Sequence, residues 1–109
     1  MNIEVREHDD ITVLDLDGRL TLGTGDAALR RAIRKQISEG HARIVLNLRR
    51  LTYSDSAGIG EMVSATKAAQ GAGGDLKVAE PQDKVENLLG LFPHVLQVYD
   101  SEDEAIRSF

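Results

Sequence analysis

The chain has 109 residues, 41% of them hydrophobic and 28% charged, the composition of one small globular domain spanning residues 1–109. Its formal net charge of -5 disfavours nucleic-acid or anionic-lipid binding, because phosphates call for a basic face. There is no cysteine, which removes disulfides and thiol chemistry, and no apolar run approaches the roughly 20 residues that span a bilayer.

Met1–Arg6 lacks a basic region followed by an apolar stretch, so no signal peptide is read and a soluble, cytoplasmic protein is expected. Ile3 and Val5, then Ile11, Val13, Leu14 and Leu16, lie in two short runs separated by His8-Asp9-Asp10. They predict an antiparallel hairpin whose second strand ends at Asp17-Gly18. Leu22 to Asp26 reads as a loop with two helix N-cap candidates, Thr24 and Asp26. Leu29, Ile33 and Ile37 then recur every four residues, giving one apolar stripe on a helix that Gly40 stops.

Ile44–Leu48 is short, apolar and partly β-branched, the pattern of a parallel strand covered on both faces. A Ser-Asp-Ser turn at 54–56 precedes a second helix, with Ile59, Met62, Val63, Thr66 and Ala69 on one side, and Gly71–Gly74 breaks it. Leu76 and Val78 mark another strand. Pro81 starts a third helical pattern carrying Val85, Leu88, Leu89 and Phe92, and Pro93 ends it. Val95, Leu96, Val98 and Tyr99 suggest a last strand. Ser101 followed by Glu104 is a capping box before a terminal helix with Ala105, Ile106 and Phe109 inward. The order β-β-α-β-α-β-α-β-α predicts an α/β fold: a small mixed sheet of four to five strands, parallel except for the first hairpin.

Enzyme signatures are weak. His8, His41 and His94 fall in separate loops, no Gly-x-Ser-x-Gly elbow precedes a helix, and the carboxylate clusters sit where turns and helix starts favour acids. Gly58-Ile59-Gly60 follows a strand but lacks both the third glycine of a dinucleotide loop and the Gly-Lys-Ser/Thr of a P-loop. No cofactor or metal is expected. Arg30-Arg31, Arg34-Lys35 and Arg49-Arg50 read first as solvated surface, and otherwise as a contact for an acidic partner.

Ser54-Asp55-Ser56-Ala57-Gly58-Ile59-Gly60 is the distinctive stretch. A cap needs one polar side chain, and here three stand in a row before small residues. Ser54 or Asp55 can be a plain cap. The small residues can equally make a surface that a partner backbone or a kinase cleft approaches, with a serine offered for phosphorylation.

Asn47-Leu48 followed by Leu51–Gly60 resembles the signature of the STAS domain, the anti-sigma factor antagonist family. Leu14–Leu20 and Gly74–Val78 extend the likeness over the whole chain. The resemblance implies a mixed sheet with helices mainly on one face. It also implies a protein that is not an enzyme, binding an anti-sigma factor that is itself a serine kinase of the histidine-kinase-like ATPase fold. Phosphorylation by that kinase releases the antagonist, and a phosphatase resets it. Carried over by position, the acceptor is Ser56. The partner-binding residues are Asp55, Ser54, Ala57, Gly58 and Gly60, with Thr21 and Thr24 in the neighbouring loop. Many members carry a second serine where this chain has Ala57, and an acid where it has Thr21. A monomer suffices for this role. The other role in the family is a non-switching scaffold, in which Ser56 is only a helix-start residue.

Overall fold

The computed structural model describes Met1–Phe109. Five strands form one sheet in the order β1-β2-β3-β4-β5, with β1 Asn2–His8, β2 Ile11–Leu20, β3 Arg43–Ser54, β4 Asp75–Ala79 and β5 Gln97–Tyr99. β1 pairs antiparallel with β2, and every other pair is parallel. The β1–β2 turn is only Asp9-Asp10, and Asp9 takes the left-handed conformation (φ 57°) that two-residue hairpin turns demand.

The helices are α1 Asp26–Ser38, α2 Ser56–Gly71, α3 Asp83–Leu89 and α4 Glu102–Arg107. A strictly sequential strand order with right-handed crossovers puts the three crossover helices on one face of the sheet. Leu14, Leu16, Ile44, Leu46, Leu76 and Val78 point to that face. They meet Leu29 and Ile33 of α1, Ile59, Met62 and Ala69 of α2, and Val85 and Leu89 of α3. Each large side chain buried here contributes about 1.5–3 kcal/mol. The alternate residues Ile11, Val13, Val45 and Ala79 face the other way, where α4 alone covers them with Ala105, Ile106 and Phe109. The expected mixed sheet with helices mainly on one face is what forms.

Several boundaries differ from expectation. β2 continues past Gly18 to Leu20, and β3 continues through Arg49–Ser54, because Arg19 and Leu20 pair with Tyr53 and Ser54. The register slips by one residue between Asp15 and Asp17 and again between Gly18 and Arg19, so β3 carries two bulges. They leave Arg49-Arg50 and Thr52-Tyr53 as exposed neighbours and erase the alternation that marks a strand. The α1 cap is Gly25, not Thr24 or Asp26. Gly25 has φ 83°, and a Cβ there would press on the Arg19 carbonyl at 2.8 Å. α3 begins at Asp83 rather than Pro81, and β5 holds only Gln97–Tyr99, since the Val95 and Leu96 amides turn back to the Phe92 carbonyl. Ser101 does cap α4, accepting from the Glu104 amide at 3.1 Å.

Arg6 and Asn47 tie the sheet to α4. Arg6 of β1 donates to both Asp15 oxygens at 2.6 and 2.9 Å and to Glu102 at 2.5 and 3.2 Å. Buried Asn47 donates to Glu102 at 3.0 Å from the central strand. The Arg6 guanidinium holds both carboxyls below their usual range. Folded-state values lowered this way add stability above the unfolded carboxylate range, and it is lost as pH falls through the folded-state values. Arg6→Ala is therefore expected to cost about 1–2 kcal/mol at neutral pH, after allowance for partial exposure, and nearly nothing once both carboxyls are protonated. Urea midpoints of both proteins, compared at neutral and acidic pH, check this. A gap between them that does not shrink in acid would contradict it.

Candidate functional site

The C-terminal ends of parallel strands are where an α/β sheet exposes backbone and loops for binding. At the ends of β2 and β3 this chain places two loops side by side. Thr21 and Thr24 exchange backbone hydrogen bonds at 2.8 and 3.0 Å, closing a tight turn that lifts Leu22 to its tip. Opposite lies the short passage from β3 into α2. Neither threonine hydroxyl is engaged within the chain; Thr24 is exposed and Thr21 half-buried.

Two aspartates pin this geometry. Asp55 is the N-cap of α2: one carboxylate oxygen accepts from the Gly58 amide at 2.8 Å, the other from the Leu22 amide at 3.1 Å. One side chain thus caps the helix and fastens the neighbouring turn to it. Asp26 holds the same turn from its other end, accepting from the amides of Gly23 at 3.1 Å and Ala27 at 2.9 Å. The amides of Gly58 and Leu22 hold the Asp55 carboxyl below its usual range, and those of Gly23 and Ala27 do the same for Asp26. Both stay ionised at neutral pH.

The two serines of the turn have opposite fates. Ser54, the last residue of β3, is 2% exposed, and its hydroxyl donates to the Leu20 carbonyl at 2.8 Å. It was expected among the partner-facing residues and instead lies beneath that surface, because it still pairs with Leu20 in the sheet and its hydroxyl bonds that residue's carbonyl. Gly58 is also buried: a Cβ there would fall on the Leu20 carbonyl and the Ser54 hydroxyl oxygen. Its role is to let the first turn of α2 sit against the end of β2. Ser56, the first residue of α2, is exposed, and its hydroxyl takes no hydrogen bond within the chain. Ala57 and Gly60 are half-buried beside it, and a Cβ on Gly60 would meet nothing within 4 Å.

Three residues join this surface that the sequence reading did not single out. Leu22 is 76% exposed and Tyr53 43% exposed, two of the few large apolar side chains in solvent. Arg19 stacks over the Tyr53 ring, 4.6 Å from its centroid. An apolar residue inside the polar Thr21–Asp26 loop was the available signal for Leu22. Glu61, one residue after Gly60, forms an ion pair with Arg30 of α1. The histidines are scattered: His8 ends β1, His41 contacts Gln36 at 3.0 Å, and His94 lies in the α3–β5 loop. No helix is long and apolar enough to cross a membrane.

Comparison with known proteins fits this geometry. The chain is 31% identical to the anti-sigma F factor antagonist of Paenibacillus polymyxa, across 97% of this chain and 92% of that one. The crystal structure of TM1081 from Thermotoga maritima superposes with a TM-score of 0.88 at 23% identity, over 97% of this chain and 92% of that one. SpoIIAA of Bacillus in its phosphorylated form gives 0.73 at 20% identity, over 98% of each chain. Its unphosphorylated form gives 0.75 at 22%, over 98% of this chain and 96% of that one. The model of the STAS domain matches residues 2–105, and the chain belongs to the STAS domain family.

Proposed function

We propose that the chain is an anti-sigma factor antagonist, one STAS domain acting in the cytoplasm, whose hold on an anti-sigma factor with serine-kinase activity is released by phosphorylation of Ser56. The observation that carries this is the contrast at the turn: Ser54 is buried and bonded, Ser56 exposed and unengaged. The named antagonist relative supports the partner class. Solved SpoIIAA forms with and without phosphate share this chain's fold, which supports a switch that leaves the fold unchanged.

In the transfer, the Ser56 oxygen attacks the γ-phosphorus of the partner's ATP, the bond to the ADP oxygen breaks, and the hydroxyl proton departs. Asp55 is a poor base for that proton, since both of its oxygens already accept backbone amides. The base therefore belongs to the partner. The phosphate would sit at the positive end of α2, where the free domain tolerates it. Inside a contact it adds nearly two negative charges beside ionised Asp55, and they must be desolvated. A phosphatase resets the switch.

Leu22, Tyr53, Thr21, Thr24, Ala57 and Gly60 form the contact surface around Ser56 in this reading. Gly60 separates folding from binding. Gly60→Ala is expected to raise stability by about 0.5–1 kcal/mol, because helix-interior glycine is costly and the site is open. It is also expected to weaken the partner complex, because the new methyl occupies the approach of the partner backbone. Denaturation and binding titration of the same variant check both halves. The phosphate itself is tested by intact mass and peptide mapping of the protein recovered from its own cells. Phosphate on Ser56 supports the switch. Its absence under varied growth conditions, with no labelling by lysate and ATP, favours the scaffold role.

A further inference from the structure

We infer that the groove between α1 and α2 is a second docking surface, and that it takes an acidic, amphipathic segment of a protein partner. The groove encloses about 260 Å³. Leu29, Ile33 and Ala65 form its buried base and Ala68 part of its open wall. Arg30, Arg34 and Glu61 line its sides, with Arg30 and Glu61 paired across it. The space accepts one or two apolar side chains beside a single cationic wall, that of α1, where Arg34 has no ion-pair partner. Through Glu61 it continues into the α2 surface that carries Gly60.

Charge identifies the occupant. Residues 26–71 carry eight Lys/Arg against four Asp/Glu, whereas the rest of the chain carries five against fourteen. On α1, Arg30, Arg31, Arg34 and Lys35 are all exposed, and only Arg30 has an ion-pair partner. Three like-charge pairs result at helical spacing: Arg30 with Arg34, Arg31 with Arg34, and Arg31 with Lys35. Each destabilises the helix on its own account. A basic face maintained against such repulsion suits an anionic partner. A membrane or a nucleic acid is the wrong shape and size. The groove is recessed, and an extended polyanion would also meet the strongly acidic remainder of the molecule. A short segment feels only charges within a Debye length, about 8 Å at physiological ionic strength.

This proposal stands apart from the Ser56 reading, because its test requires no phosphate. The probe is a synthetic peptide of about 18 residues, five helical turns, with leucine on one face and glutamate on the other. It is titrated into the isotope-labelled full chain and followed by amide chemical shifts. Shifts are expected in residues 29–34 and 61–68, with binding that weakens as salt rises. Arg31→Glu with Arg34→Glu is expected to cut affinity at least about tenfold while stability holds or rises, since two of the three repulsive pairs become attractive, with Arg30 and Lys35, and only the pair between positions 31 and 34 stays repulsive. Ala68→Trp, which fills the groove without changing charge, is expected to do the same. A lysine version of the peptide should not bind. No shifts, shifts elsewhere, or binding undiminished in both variants would overturn the proposal. So would stronger perturbation of these residues by a DNA oligonucleotide or by phosphatidylserine vesicles.

Discussion

Gly58→Ala is expected to lower the thermal unfolding midpoint by on the order of 10–20 °C, the equivalent of about 2–4 kcal/mol in a domain of this size. The added methyl has nowhere to go. Its position coincides with the Leu20 carbonyl, a backbone atom at the end of β2, and with the Ser54 hydroxyl oxygen, held by its own bond to that carbonyl. Relief requires α2 to move away from the sheet. That would stretch the Asp55 bonds to the Gly58 and Leu22 amides and disturb the packing of Ile59 and Met62. Adding Ser54→Ala removes one obstacle and leaves the carbonyl, so only partial rescue is expected. The neighbouring Gly60→Ala should move the midpoint upward. A Gly58→Ala protein as stable as its parent would show that the close approach of α2 to β2 is wrong.

The second large effect is on binding. Ser56→Asp is expected to weaken the complex with the anti-sigma factor, and a true phosphate to weaken it by about a hundredfold or more, which is about 3 kcal/mol. The cost has two parts: desolvating a dianion in a formed contact, and repulsion from Asp55, which stays ionised because two amides hold its carboxyl low. Ser56→Ala retains the surface and loses only a hydroxyl with no partner inside the chain, so it should bind as well as the parent. With ATP present, the parent complex is expected to dissociate and the Ser56→Ala complex to persist. Ser54→Ala should lower stability without altering the response to ATP, because that hydroxyl belongs to the fold. Size-exclusion chromatography of each mixture, with and without ATP, reads the binding outcomes, and an unfolding midpoint reads the stability of Ser54→Ala.

The parts of this architecture that were legible in the sequence are those where local pattern and tertiary environment agree. The apolar stripe of α1, the doubly covered run Ile44–Leu48 and the Ser101–Glu104 cap each announce one element. The long end of β3 was not legible, for a specific reason. Its two bulges place Arg49 beside Arg50 and Thr52 beside Tyr53 on the exposed side, so neither a two-residue nor a 3.6-residue period survives. Pairing with Leu20 is what buries Ser54, and sequence alone grouped Ser54 with Ser56. Asp55 was legible as a cap. Its second bond, to Leu22 more than thirty residues earlier, depends on β2 and β3 lying side by side. Leu22, Tyr53 and Arg19 become one surface only through that adjacency.

The ends of β2 and β3 thus form a hydrogen-bonded base, with Ser54, Gly58 and Asp55 below and Ser56, Leu22 and Tyr53 above. In the proposed switch, a phosphate at the top is expected to change what binds and to leave the fold in place. The most direct test is a calorimetric titration of the anti-sigma factor with two preparations of the chain, one unmodified and one phosphorylated on Ser56, with unfolding midpoints measured in parallel. Affinity at least about a hundredfold lower for the phosphorylated chain, at nearly equal midpoints, is the predicted result. Equal affinity of the two preparations would contradict the switch.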